Sequence, residues 1–165
     1  MPRANHVWNA LWRCAFRIVF LGYCTVNFFR RPATQGAAVA LWHNGRVLLV
    51  RNSYRRRLNL PGGMARRGEE PVDAAVRELA EELGIAVAPE ELTLACETSG
   101  VFEFRHDHTY IFEVEVTSVP KVRYDGREVV WAEFVPVGRA LRLPLIPPVQ
   151  QYLARREASG SGQVL

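Results

Sequence analysis

Arg77, Glu78, Glu81 and Glu82 crowd four ionisable side chains into one short stretch of the chain. On an α-helix, Glu78 and Glu82 are i, i+4 neighbours, and Glu78 and Glu81 are i, i+3 neighbours, so three carboxylates leave one side together. Such a face repels itself unless cations lie against it. Hard divalent cations such as Mg²⁺ accept carboxylate oxygens while keeping several waters, and would relieve that repulsion. Taken alone, the three glutamates read as a solvated acidic face, the usual meaning of a charge run. Their surroundings change that reading. Gly62-Gly63 lies just upstream, on a loop able to present backbone groups closely. Glu69 sits between the glycines and the acidic stretch, and Gly84 follows it directly.

These residues need a helix to align them, and the sequence predicts one over 71–83. Pro71 suits a first-turn position, and Gly84 suits the residue just past the end. Ala75, Leu79 and Leu83 recur every four residues and give the helix an apolar stripe. Strands are expected at 37–42 and 46–51, joined by Asn44-Gly45, a dipeptide that tolerates the positive φ of a two-residue hairpin turn. A polar, Arg-rich loop covers 52–59, and Leu60-Pro61-Gly62-Gly63 reads as a tight backbone feature. Further strands are expected at 92–98, 110–116 and 129–135. Residues 100–108 read as a loop or a pair of short strand ends. A last helix opens at Pro147-Pro148 and runs to about Arg156. Strands, helix, strands, helix is the order of an α/β or α+β domain with a mixed sheet.

Gly63, Glu69, Arg77-Glu78-Leu79, Glu81-Glu82 and Gly84-Ile85 together resemble the Nudix box: G, five residues, E, seven residues, R-E-U-x-E-E-x-G-U, with U a bulky aliphatic residue. Every defined position is matched, and Leu60-Pro61-Gly62 resembles the usual lead-in. The resemblance covers residues 36 to about 156. It implies an α/β/α sandwich around a mixed sheet, a loop-helix-loop box, and Mg²⁺ or Mn²⁺ as cofactor. Carried over, Glu78, Glu81 and Glu82 would be the metal site, with a backbone carbonyl of Gly62 or Gly63 as a further ligand. Arg77 would hold the glutamates and Glu69 would brace Arg77. The implied activity is a pyrophosphohydrolase acting on a nucleoside-diphosphate-linked substrate: a nucleotide, an ADP-ribose-like compound, a dinucleotide or a nucleotide sugar. A non-catalytic nucleotide-binding sensor on the same fold is the alternative.

Many members of that family take their general base from outside the box. Glu128, just before the strand at 129–135, is the candidate here, with Glu78 and Glu82 as alternatives. Tyr54, Arg55 and Arg57 are expected to touch substrate. Phe102, Phe104, His106 and His108 lie where they could border the pocket, Phe102 as a stacking ring, and the two histidines read as exposed. The Trp that often precedes Pro-Gly-Gly in the family is absent, since Leu58-Asn59-Leu60 stands there.

The chain has 165 residues, 48% of them hydrophobic and 23% charged, with a net charge of +4. That suits one soluble domain plus an appendage, and the modest positive excess favours anionic ligands without selecting one. No zinc spacing, Ser-His-Asp set, P-loop or dinucleotide fingerprint appears, and scattered arginines make nucleic acid a poor fit. Cys14, Cys24 and Cys96 read as buried free thiols in a reducing, cytoplasmic compartment. Residues 1–34 form an apolar, amphipathic helix, 35–157 the main domain, and 158–165 a disordered tail. Within the first segment Asn5, Asn9, Arg13 and Arg17 recur every four residues as a polar stripe. Two readings of residues 7–29 stand side by side: a helix packed on the domain or on a second copy, and a helix in a membrane interface with its Arg heads at phosphate level.

Overall fold

The computed structural model describes residues 3–161. In chain order the elements are α1 (Arg3–Arg30), β1 (Ala33–His43), β2 (Arg46–Asn52), β3 (Gly62–Met64), α2 (Pro71–Leu83), β4 (Thr93–Phe102), β5 (Arg105–Glu115), β6 (Val129–Pro136), α3 (Val137–Ala140) and α4 (Pro147–Ser161). The sheet runs β4-β5-β1-β2-β6, with β3 pairing β1. The pairing of β1 with β5 is parallel and the rest are antiparallel, so the sheet is mixed. The fold is α+β, a mixed sheet between helices, with an added N-terminal helix.

Period-two alternation along β1 and β2 divides the core. Val39, Leu41, Leu48 and Val50 face α2, where Ala75, Leu79 and Leu83 are buried. Ala38, Ala40 and Leu49 face the other way, against Val149 and Leu153 of α4. The sheet is therefore covered on both faces. Asn44 and Gly45 close the β1–β2 hairpin with φ of 49° and 70°, as their dipeptide predicts.

Several expectations are revised. Of the two readings of 100–108, strand ends is the one found: they are the tip of a continuous β4–β5 hairpin, in which Phe102 pairs with Arg105. Its turn places Glu103 and Phe104 at φ of 51° and 65°, so no glycine announces it. The last helix passes Arg156 and continues to Ser161, which makes the start of the expected tail helical. The remainder of that tail, 162–165, lies outside the described residues. Cys14 is exposed and Cys24 and Cys96 are half-buried, all three unbridged, where buried thiols were expected.

α1 sits on the domain by its polar side. Asn9 and Arg13 donate to the carbonyls of Asp125 and Gly126 at 3.4 and 2.9 Å, and Arg17 donates to that of Ser53 at 3.2 Å. Asn27 is buried and donates to the Glu103 carbonyl. Arg13 and Arg17 thus turn toward protein carbonyls instead of outward to lipid phosphate; the side chain of Asn5 lies outside the described residues. Val7, Leu11, Ile18, Leu21 and Phe29 are left exposed, which inverts the usual amphipathic arrangement. Among the described residues no helix is long and apolar enough to cross a membrane.

Candidate functional site

α2 begins at Pro71 and is closed by Gly84, whose φ of 65° lets its N–H reach back to the Ala80 carbonyl. With Leu79 and Leu83 fully buried, the opposite side of the helix presents Arg77, Glu78, Glu81 and Glu82 toward the loop that carries β3. Two glycines allow the approach. A Cβ on Gly62 would lie 2.2 Å from the Ala37 carbonyl oxygen, and one on Gly63 would lie 2.6 Å from the Glu78 carboxyl carbon. Any larger residue at 63 would displace that carboxylate.

Arg77 organises the acids. It donates to Glu69 at 2.8 and 3.0 Å, to Glu78 at 2.5 Å and to Glu81 at 3.2 Å, and also reaches the Met64 carbonyl. Hydrogen bonds from Arg77 and from the Arg66 backbone hold the Glu69 carboxyl down at about 2. Hydrogen bonds to Glu69 and Glu78 in turn push Arg77 further up, so its positive charge is fixed. Glu81 is more exposed and also meets Arg66 at 3.2 Å. Glu82 is different. It accepts from the Gly62 N–H at 3.0 Å and from Asn52 at 3.4 Å, and no Lys or Arg side chain among the described residues is bonded to it. Burial pushes its carboxyl up to about 8, with Glu78 and Glu128 adding like-charge repulsion. Burial likewise raises Glu78, against the pull of Arg77.

Glu128 accepts from the Tyr54 hydroxyl at 3.0 Å, and Tyr54 in turn accepts from Asn52 at 3.4 Å. Asn52 therefore links the Glu82 carboxylate to the Tyr54–Glu128 pair. Burial raises the Tyr54 hydroxyl well above its ordinary range, so it stays protonated as a donor. Tyr54, Arg77, Glu78, Glu81, Glu82 and Glu128 line one cavity of about 550 Å³. Among the described residues no three carboxylates, imidazoles or thiols converge as a ready-made metal cage. The donor chemistry nevertheless fits a hard cation. Glu78, Glu82 and Glu128 are half-buried carboxylates facing one cavity, and a divalent cation between them would offset the like-charge repulsion that adds to burial at Glu78 and Glu82.

The substrate-side candidates separate. Tyr54, Arg55 and Phe102 line the cavity, while Arg57 is exposed and does not. Arg55 is committed to Glu103 through two bonds of 2.8 Å. Phe104 is exposed against Phe28. His106 is exposed, and His108 meets Glu97 at 2.8 Å on the paired strand. Sequence reasoning missed Phe16, Phe20 and Tyr23 of α1, and Arg105 and Asp107 of β5, which also line the cavity. For β5 a signal exists: Arg105, Asp107 and Thr109 alternate at period two, and Asp107 accepts from both Arg105 and Thr109. For α1 the spacing of Phe16, Phe20 and Tyr23 gives one helical face, but apolar residues all round conceal it.

The NUDIX domain model matches residues 32–156. No curated protein sequence matches the chain. Among solved structures, the chain is similar to a MutT NUDIX hydrolase from Burkholderia pseudomallei, with a TM-score of 0.64 and 25% identity over 74% of this chain and 96% of that one. It is similar to a C. elegans Ap4A hydrolase binary complex, with a TM-score of 0.66 and 18% identity over 78% and 98% of the two chains. The NUDIX domain of Shewanella oneidensis NrtR, complexed with ADP ribose, is similar at a TM-score of 0.62 and 17% identity over 75% and 88%. At such low identity the last two likenesses concern the fold. None of the matched family region includes α1 before residue 32.

Proposed function

The chain belongs to the Nudix family, and on that premise we propose that it is a divalent-metal-dependent hydrolase of phosphoanhydride bonds in nucleoside-diphosphate-linked substrates. The observation that carries this reading is the gathering of Glu78, Glu82 and Glu128 in one cavity, with Glu82 bonded to no Lys or Arg side chain among the described residues. Structures similar in fold include an Ap4A hydrolase and a domain bound to ADP ribose, which supports a nucleotide-type ligand.

In this reading Glu78 and Glu82 would hold Mg²⁺ or Mn²⁺, with Glu81 and a backbone oxygen of Gly63 contributing. The bound ion would supply charge neutralisation of the diphosphate and polarisation of a phosphoryl oxygen. The protein's own part is positioning. Arg77, braced by Glu69, fixes the rotamers of Glu78 and Glu81. The Gly62 N–H fixes Glu82 against the β3 loop. Tyr54 orients Glu128 by occupying Oε1, which leaves Oε2 to take a proton from the attacking water. Water oxygen bonds to phosphorus, the anhydride P–O bond breaks, and the leaving phosphate departs as the dianion or monoanion.

The test is product analysis on a panel of nucleotides, ADP-ribose-like compounds, dinucleotides and nucleotide sugars, with Mg²⁺ and with Mn²⁺. A nucleoside monophosphate or phosphate should appear from at least one class. Tight nucleotide binding without turnover would favour the sensor alternative. A second reading concerns location. The inverted α1, with its exposed apolar side and no Asp or Glu between residues 1 and 31, fits a helix resting on a membrane surface. Co-sedimentation with phosphatidylcholine and phosphatidylglycerol vesicles tests it. Equal partitioning of wild type and Ile18→Gln/Leu21→Gln would rule it out.

A further inference from the structure

Phe16, Phe20 and Tyr23, which line the cavity beside Tyr54 and Phe102, come from outside the family domain. Phe20 of α1 lies with its ring centre 4.9 Å from that of Tyr54, and Phe16 lies 6.3 Å from the same ring. The Arg55 guanidinium carbon sits 5.4 Å from Phe20, 5.3 Å from Tyr54 and 5.9 Å from Phe102. Tyr23 completes this wall, its hydroxyl bonded to Arg105 and, at 3.4 Å, to the Met64 sulfur. The polar contacts of Asn9, Arg13 and Arg17 with domain carbonyls fix the helix in this position.

The charges on this side of the cavity are already spent. Arg55 is paired with Glu103 and Arg105 with Asp107. A ligand's organic group would therefore meet ring faces and neutralised guanidinium planes, not free cations. Such a lining recognises a flat, polarisable group by stacking. It offers less to a sugar, which needs many directed hydrogen bonds. The carboxylate end and the ring end share one cavity of about 550 Å³, within the range that holds a nucleotide-sized molecule.

We propose that α1 is a built-in wall of the active site, and that Phe16 and Phe20, with Tyr54 and Phe102, form a subsite for a planar heteroaromatic group joined to the diphosphate. This assignment rests on the hydrolase reading for the diphosphate end only. It makes α1 a specificity element of this chain, and it explains how a member without the family's Trp before Pro61 can still present rings to a base.

The experiment uses the full chain with Mg²⁺ and titration calorimetry against three probes: ADP, inorganic pyrophosphate and geranyl diphosphate. Phe20→Leu keeps apolar volume and removes the ring. It should weaken ADP binding about tenfold, the scale of one base-on-ring stack, while pyrophosphate affinity shifts less than twofold. Phe16→Leu should weaken ADP by a smaller factor in the same direction. Leu21→Gln, on the exposed side, should leave all three affinities unchanged. Equal weakening of ADP and pyrophosphate would overturn the subsite, because Phe20 would then act by holding Tyr54 and Glu128. A larger loss for geranyl diphosphate than for ADP would overturn the planar assignment, and no change for any probe would remove α1 from the site. Should Phe20→Leu fail to fold, judged by its melting curve, Phe16→Leu decides the same question. ADP binding that responds to Phe20 in a protein that cleaves no anhydride would sink the hydrolase reading and keep the subsite. Cleavage indifferent to both phenylalanines would do the reverse.

Discussion

α1 and α2 meet across the same cavity, yet they are built on opposite plans. α2 buries Ala75, Leu79 and Leu83 under the sheet and points its charges at the cavity. α1 points polar and aromatic residues inward and leaves Val7, Leu11, Ile18 and Leu21 in the open. One helix is anchored by the hydrophobic effect, so its carboxylates can be placed against each other despite repulsion. The other is anchored by hydrogen bonds to loop carbonyls and by ring contacts, a weaker attachment that costs little to loosen. On the proposed reading, chemistry belongs to the firmly held helix, and selection of the substrate to the loosely held one.

The largest effect that would break this division is at Glu82. Glu82→Gln should lower kcat on the order of 10²–10³-fold with an unchanged circular dichroism spectrum, because a metal-holding charge is lost while the remaining amide oxygen can still accept from the Gly62 N–H. A rate within a few-fold of wild type would move the chemistry off α2. The anchoring claim comes next. Leu79→Ala should cost about 2–5 kcal/mol in denaturant unfolding, against less than about 0.5 kcal/mol for Leu21→Ala. Comparable losses would mean that α1 is packed as α2 is.

A pH effect sharpens the account of Glu82. Its carboxyl, ordinarily at 4.5, is pushed up to about 8 chiefly by burial in the metal-free protein. Between those values the native state keeps a proton that the unfolded chain has released, so stability falls as pH rises from about 5 to 8. The melting temperature in EDTA should drop across that window, less steeply in Glu82→Gln, and added Mg²⁺ should restore wild type most at the alkaline end. A slope identical in both proteins would place the proton elsewhere. The smallest effect concerns α1. Arg13→Ala, which removes the bond to the Gly126 carbonyl, should speed amide exchange across residues 7–30 and leave α2 protected. Faster exchange in both helices would show one cooperative unit.

The same contrast explains what could be read from the sequence. The α2 helix was legible because stripe, Pro71, Gly84 and box residues all agree on one structure. So was the β1–β2 hairpin, through Asn44-Gly45. The β4–β5 turn was hidden because Glu103 and Phe104 occupy positive-φ positions that composition assigns to glycine or asparagine. The role of Arg55 was hidden because Glu103, its partner, stands far away in sequence within that unrecognised turn. The orientation of α1 was illegible for a deeper reason. Its apolar residues surround the polar stripe, so periodicity alone left packing and membrane contact both open, and the carbonyls of Ser53, Glu103, Asp125 and Gly126 select a side.

The most direct test is the fate of ADP-ribose incubated with the full chain in ¹⁸O-labelled water, with Mg²⁺ and with EDTA, followed by mass spectrometry. The account predicts AMP and ribose 5-phosphate with one ¹⁸O incorporated into a phosphate, in the Mg²⁺ sample alone. Failure of the folded, Mg²⁺-loaded protein to cleave ADP-ribose or any other diphosphate-linked nucleotide, or equal cleavage in EDTA, would contradict it.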